Sequence, residues 1–591
     1  MSKNTAILKQ YFVKKRRVPE GNSMKRWTRL LSVLLLVCLL LTACTSVSNG
    51  SAGQKSEAEY SQEVQNLEKL CKVWGYTKYT HPAFLFGEKD WDEELLNLIP
   101  VVSKAKAEEV NDILHEWFVS LGEIDYRTSR KKTLPPEEEL MVQSDTGWIR
   151  EDYLGAELTE DLSKLGPIPN IDRNKAPVQF IGNALVSMPD FGNERYYDQM
   201  NYSLPAERLL GLFRVWNAME YYCPYLDILD ESWEAQIQPF ITRMLEGSDQ
   251  HSYEMTISAL SAKLQDAHVR LVTKDLVKRP LFDEWGVYTV PTELIYAEDK
   301  IVVCNPYTEK LKAGDIILEL DGVAVEELIA NRLEYISVTE EDKLMFAVYP
   351  LLLRSHQPEM ELKILRDGKE QTILIEGKKD IDQLYMWHIP TEVSHELLEG
   401  NIGLINPQKL EDGEIPRIME KFRNTDGLII DLRQYPGYSF YPEISSYLGD
   451  TEEIFVQASF PSQSIPGVFV TGPIKRTAES WEYRGEIVVL TNEMSLSNAE
   501  YTVMSLQNAE NVTVMGEETI GADGNVVRLP LPGNIELLFT SLGVYTPEMG
   551  QTQRIGLSPD IEVYPTVEGI KEGRDELLEA AVAYIQKQNA K

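Results

Sequence analysis

Glu486-Ile487-Val488-Val489-Leu490-Thr491-Asn492-Glu493-Met494-Ser495-Leu496-Ser497-Asn498-Ala499-Glu500 is the stretch whose reading decides the fold. Ile487 to Leu490 form a short apolar run without alternation, the pattern of a strand buried on both faces. Ala499, Val503 and Leu506 then recur four and three positions apart, marking one face of a helix. Val512-Thr513-Val514-Met515-Gly516 begins another strand, and Gly427-Leu428-Ile429-Ile430-Asp431-Leu432-Arg433 is a buried strand ending in charge. From about Ile402, strands and helices alternate, which predicts an α/β core whose site lies at strand C-terminal ends. Ser497 falls at such a place, after a strand and at the mouth of a helix. First-turn amides and the helix dipole favour negative charge there. The same Ser497-x-x-Glu500 spacing is also a capping box, in which serine only caps the helix. If Ser497 instead serves chemistry, Ser495 remains available to cap.

Working outward, the 591 residues exceed what one hydrophobic core holds, so several domains are expected. Fifty-eight Lys and Arg stand against 93 Asp and Glu, a net charge of −35. That field repels phosphate backbones and no basic stripe interrupts it, which argues against nucleic acid as a partner. No metal-ligand cluster, phosphate loop or dinucleotide fingerprint is legible, so neither a metal nor a cofactor is expected. His81, His115, His251, His356, His388 and His395 are scattered without ligand spacing.

Near the N-terminus, Lys25, Arg26 and Arg29 follow Met24 and precede the apolar run Leu30 to Leu41. A basic segment before an apolar run too short for a comfortable bilayer span reads as a signal sequence. It ends in Leu41-Thr42-Ala43-Cys44, which resembles a bacterial lipoprotein lipobox. The resemblance implies cleavage before Cys44, acylation of its sulfur and an extracytoplasmic, lipid-anchored protein. Residues 1–44 are then the signal peptide and 45–60 a flexible Ser/Gly/Lys/Glu tether. Cys71, Cys223 and Cys304 show no CxxC spacing and an odd count, and read as free thiols.

An internal repeat follows. Trp74, Tyr79, Pro82 and Trp91 recur as Trp216, Tyr221, Pro224 and Trp233, each 142 positions on. Two helical units of one ancestry are expected, over 61–200 and 201–280. Tyr253, Ile257, Leu260 and Leu264 line a helix in the second copy, which runs into Asp266-Ala267-His268 and a strand-like Val269-Arg270-Leu271-Val272. The first copy has Leu121 to Asp125 in the comparable place, without a histidine. Residues 281–380 break into short strands. Among them Leu311-Lys312-Ala313-Gly314-Asp315 leads into Ile316 to Leu320 and then Asp321-Gly322, a tight-hairpin signal. This segment resembles PDZ domains, which implies a groove that adds a peptide as a strand.

Taken together, Asp266-Ala267-His268, Asp431-Leu432-Arg433 with Gly437, Ser497-Asn498-Ala499-Glu500, Thr519-Ile520-Gly521-Ala522-Asp523-Gly524 and Gly556-Leu557-Ser558-Pro559-Asp560-Ile561 stand in one order. In that order they resemble the tail-specific, or C-terminal-processing, serine peptidases, especially the tricorn-core-like branch. The likeness spans roughly Leu209 to Val563. It implies a multidomain α/β protein: helical N-terminal units, a PDZ-like domain, a ClpP/crotonase-like peptidase core over 385–565 and a C-terminal helix over 566–591. It also implies Ser497 as nucleophile and His268 as general base, with the backbone amides of Gly437 and Asn498 as oxyanion hole. Polypeptides are the implied substrates.

Two departures stand out. One branch of the family carries a lysine base 25 residues after the serine, where this chain has Ala522. His268, able to accept a proton near neutral pH, is then the base. Tricorn-like members also place a glutamate shortly before Gly-x-x-Pro-Asp, to orient the histidine. Gln553 is the nearest candidate here, and an amide orients without stabilising an imidazolium as a carboxylate does. Gln434-Tyr435-Pro436-Gly437 replaces the usual Asn-Gly-Gly, and Pro436 lacks an N–H. Two other readings stay open: an inactive peptide-binding lipoprotein on a peptidase scaffold, and a hydrolase of a non-peptide ester or amide.

The anchoring expectation is tested directly. Cys44→Ala should remain unprocessed, lack lipid and change its partition between membrane and soluble fractions. Unchanged processing and fractionation would reject it.

Overall fold

The computed structural model describes residues 60–127, 140–142, 144–182, 187–275, 280–339, 345–379, 393–448, 453–476 and 481–590. The expected signal peptide with Cys44, the tether up to residue 59, and His388 lie outside the described residues.

Three helices, Gln62–Thr80, Trp91–Val102 and Val110–Ser120, are followed about 140 to 146 positions later by Pro205–Tyr222, Ile237–Glu246 and Gln250–Ala262. Their contacts recur at the 142-residue offset of the sequence repeat. The Trp74 indole donates to the Trp91 carbonyl at 2.8 Å, and the Trp216 indole to the Trp233 carbonyl at 3.3 Å. Arg214 pairs with Asp92 at 2.8 Å, and Lys72, its counterpart position, pairs with Glu234 at 2.6 Å. Each copy therefore supplies a cation to the other copy's anion, the reciprocity of a twofold interface within one chain. The buried pair Arg214–Asp92 is joined by Glu194, on Arg214 Nε at 3.0 Å, and by Lys78. Such a network costs desolvation, and each charge is tolerated only because its partner is present.

Where the first helices of the two copies cross, Gly75 meets its counterpart Asn217. A Cβ on Gly75 would come within 1.7 Å of Asn217 Oδ1. The Asn217 amide fills that gap and donates to the Cys71 and Phe213 carbonyls at 3.1 and 2.9 Å. Cys71 and Cys223 are buried, Cys304 is half-buried, and all three are free thiols.

Strands Thr292–Ala297, Lys300–Pro306, Ile316–Leu320, Glu359–Arg366 and Lys369–Glu376 form an antiparallel sheet. The Asp321-Gly322 pair makes a two-residue turn from Leu320 to Val323, with φ of 48° and 78°. Both residues need positive φ in such a turn, which is why Asp-Gly suits it.

The sheet of the C-terminal half runs His395–Leu398, Ile402–Ile405, Gly427–Asp431, Glu486–Thr491, Val512–Gly516, Ile561–Glu562 in spatial order. Its first pairing is antiparallel and the others parallel. Alternate side chains go to opposite layers. Ile430, Val489 and Val514 pack with Ile418, Phe422, Val503 and Leu506 of the helices Ile415–Phe422 and Asn498–Leu506. Ile429, Val488 and Met515 pack instead on Leu577, Ala581 and Ile585. With helices on both faces, the strands are apolar throughout, as parallel sheets require. The expected single C-terminal helix is two, Val567–Glu572 and Glu576–Asn589. Gly573 takes φ of 69° and ends the first, and the Asp575 carboxylate caps the second.

A smaller sheet joins the halves. Arg270–Thr273, just past His268, pairs antiparallel with Ile535–Thr540, the second arm of a hairpin begun by Val526–Leu531. Arg214 donates to the Pro530 carbonyl at 2.8 Å, and the Tyr253 hydroxyl to that of Pro532 at 3.0 Å, fastening the helices to the same hairpin.

Gly75→Ala should destabilise the protein by about 1–3 kcal/mol, the cost of overpacking a close helix contact. Combining it with Asn217→Ala should lose less than the two single changes summed. Thermal unfolding of the four proteins checks this, and strict additivity would reject the packing account.

Candidate active site

Ser497 follows the Glu486–Thr491 strand and occupies the N-cap of helix Asn498–Leu506. Its backbone has φ of 55° and ψ of −117°, a conformation that non-glycine residues rarely adopt. A serine on a strained strand-to-helix turn is the geometry that exposes a nucleophile above a parallel sheet. The turn is held from two sides. Ser497 N–H donates to the Ala522 carbonyl at 2.8 Å and to Glu500 Oε2 at 3.2 Å. Glu500 is buried and also accepts from Thr519 Oγ1, Gly521 N and Ala522 N at 2.5, 2.8 and 3.0 Å. Burial pushes its carboxyl up from the ordinary range, and these donors pull the other way. Ser495 does not cap the helix: its hydroxyl donates to the Leu432 carbonyl at 2.8 Å and accepts from Asn492 N at 3.0 Å.

His268 reaches the same region from the helical unit. Ala267, Leu496, Ile520 and Ala522 form one buried apolar cluster. His268 and Ser497, each the next residue after a member of that cluster, are thereby neighbours of it. The imidazole is buried, and its Nδ1 lies 3.1 Å from Thr540 Oγ1 and 3.6 Å from Asp266 Oδ1. Asp266 Oδ2 accepts from the Thr540 hydroxyl at 2.5 Å, and Asp266 Oδ1 from His268 N–H at 2.9 Å. Burial lowers the His268 pKa below its ordinary value; Asp266 acts to raise it and Arg270 to lower it. Burial thus favours the neutral form of the ring.

Gln553, the expected orienting residue, is placed elsewhere. Its Oε1 accepts from Asp523 N–H at 3.1 Å, while Thr540 Oγ1 is the hydrogen-bond partner of the imidazole Nδ1. Burial pushes the neighbouring Asp523 carboxyl well up. Gly437 also departs from expectation, since its N–H donates to the Pro407 carbonyl at 2.9 Å. It fits there because it has no side chain: a Cβ would meet the Gln408 and Leu410 carbonyls at 2.9 Å. Asn498, the other expected oxyanion donor, is the first helical residue, and its side chain bonds the Tyr438 carbonyl and Ser439 hydroxyl at 3.0 and 3.3 Å. The loop after the Gly427–Asp431 strand is thus tied to the helix mouth. The segment before residue 340 touches the site as well. Ser337 Oγ accepts from Asp266 N–H at 2.9 Å, and the Thr339 hydroxyl donates to the Ile520 carbonyl at 2.7 Å.

Thr540 is the site residue that sequence reasoning missed. Its only signal is register: Arg270 faces Leu538, so two residues outward position 268 faces 540.

Residues 401–563 match Peptidase family S41. Among solved structures, mature CPAF is similar at 14% identity over 65% of this chain and 96% of that one, with a TM-score of 0.50. A CPAF mutant aligns at 15% identity over the same shares with a TM-score of 0.51. The photosystem II D1 C-terminal processing protease aligns at 18% identity over 63% and 98%, with a TM-score of 0.37. The two CPAF likenesses establish a shared fold. The family match supports a serine-type peptidase.

Glu500→Leu should lower stability by several kcal/mol, since each buried donor left unpaired costs about 1–3 kcal/mol. Glu500→Gln, which keeps one acceptor oxygen, should lose less. Thermal unfolding of both variants measures the order, and equal losses would contradict it.

Proposed function

We propose that the protein is an extracytoplasmic serine endopeptidase of the C-terminal-processing kind, working through an acyl-enzyme on Ser497 with His268 as general base. The strained Ser497 backbone at the mouth of a helix carries this reading. Attack of Ser497 Oγ on the scissile carbonyl forms the O–C bond as the hydroxyl proton passes to His268 Nε2. Collapse of the tetrahedral intermediate breaks the C–N bond, and the same proton leaves on the amine. A water then repeats the cycle on the ester, returning serine and a carboxylic acid. The Asn498 amide and the helix dipole favour the oxyanion. Gly437 could add its amide only after leaving Pro407. The N-terminal signal motif supports an anchored location, and Leu311 to Gly322 supports a PDZ-like domain behind two related helical units.

The engaged Gly437 amide favours one alternative, a catalytically weak peptide binder on the same scaffold. Reaction with a fluorophosphonate probe separates the two. A peptide-library digest separates a peptidase from a hydrolase of other esters or amides.

Ser497→Ala should abolish probe labelling and peptide turnover, and His268→Ala should reduce turnover by roughly 10³-fold or more. Undiminished cleavage by Ser497→Ala would refute the nucleophile. Because burial lowers the His268 pKa, the acid limb of kcat/KM should lie below the ordinary histidine value of about 6.5. Activity is then retained above that limb and lost as pH falls through it. A limb at or above the ordinary value would contradict the assignment.

A further inference from the structure

Asp266, Thr540 and His268 form a chain of contacts in which the carboxylate and the imidazole are bridged by a hydroxyl. A threonine hydroxyl has one proton to donate and lone pairs to accept. Asp266 Oδ2, 2.5 Å away, can only accept when ionised, so the Thr540 proton is directed to it. The hydroxyl oxygen is then left as an acceptor toward His268 Nδ1, 3.1 Å away. Asp266 Oδ1 at 3.6 Å from Nδ1 is beyond good hydrogen-bond range, so the carboxylate does not do this alone. That same Oδ1 already accepts the His268 backbone N–H at 2.9 Å.

From this geometry we infer that Thr540 is a positioning residue: held by Asp266, its hydroxyl fixes His268 as the Nδ1–H tautomer and leaves the Nε2 lone pair free for a proton. The inference rests on the reading of His268 as the base. A third residue of the site therefore comes from neither the Gly-x-x-Pro-Asp region nor the position of Gln553. It comes from the end of the Ile535–Thr540 strand, directly across from the histidine. The arrangement explains how a histidine can be held without a carboxylate on its ring. The hydroxyl transmits the orientation, and Asp266 sets the direction of the hydroxyl. It also makes the side-chain hydroxyl, rather than threonine's methyl group, the part that matters.

The test is ¹⁵N NMR of protein labelled at its histidines, with the His268 ring signals assigned by their loss in His268→Gln. The wild type should show protonated Nδ1 and bare Nε2 above the histidine pKa. Thr540→Val, close in shape but lacking the hydroxyl, should lose that pattern, and Thr540→Ser should keep it. The rate of fluorophosphonate labelling should follow, falling about 10²-fold or more in Thr540→Val and staying near wild type in Thr540→Ser. A wild-type ring protonated at Nε2, or an unchanged spectrum in Thr540→Val, would overturn the inference, and the first is read on the wild type and does not depend on Thr540→Val folding. Failure of the wild type to label would count against the Ser497 reading, while the ring assignment is decided by the spectrum alone.

Discussion

Four antiparallel pairings, from Arg270 with Leu538 to Thr273 with Ile535, bring the candidate base to the hairpin of residues 526–540 in the C-terminal half. Everything at the site follows from that contact. The strand begins two residues after His268, so the pairing places the histidine opposite Thr540. The helix before it delivers Ala267 to the apolar cluster beside Leu496 and Ala522. A register slip of one residue would turn His268 to the other face of the ribbon and separate it from Thr540. The surrounding contacts resist such a slip. Arg214 and Tyr253 bind carbonyls of the same hairpin, so helices and hairpin move together.

The helical pair is built to be stiff at that junction. Its two copies exchange ion pairs, and Arg214, the cation of one exchange, also holds the hairpin. Buried charges are poor sources of net stability, yet each removes freedom from an interface that a purely apolar surface would leave able to slide. The Gly75–Asn217 contact has the same effect by shape, because glycine on one helix and asparagine on the other admit one close crossing.

At the serine, strain and restraint are combined. A non-glycine residue with φ of 55° persists only if neighbours over-determine it. Glu500 supplies that restraint, drawing together the serine turn and the Thr519–Ala522 turn through one carboxylate. The capping box and the strained serine turn are therefore the same structure. Glu500 accepts the Ser497 amide while also closing the next loop. Their opposition in the sequence disappears once the acceptor's other bonds are known.

The sequence by itself determined the local elements and their order: the buried strands by uninterrupted apolar runs, the Asp321-Gly322 turn by its need for positive φ, and the 142-residue repeat by its aromatics. It also placed Ser497 at a strand-to-helix junction. Those features depend on neighbours within a few residues, or on a pattern repeated along the chain. Tertiary structure decided what stands beside His268. Thr540 is 272 residues away and carries no motif. The partner of the Gly437 amide, the Pro407 carbonyl, depends on how one loop lies over another. The break at Gly573 was legible in principle, since glycine at a helix end favours the left-handed turn. The hydrogen-bond partner of a side chain is set by packing between segments distant in sequence, and composition and spacing do not encode that directly.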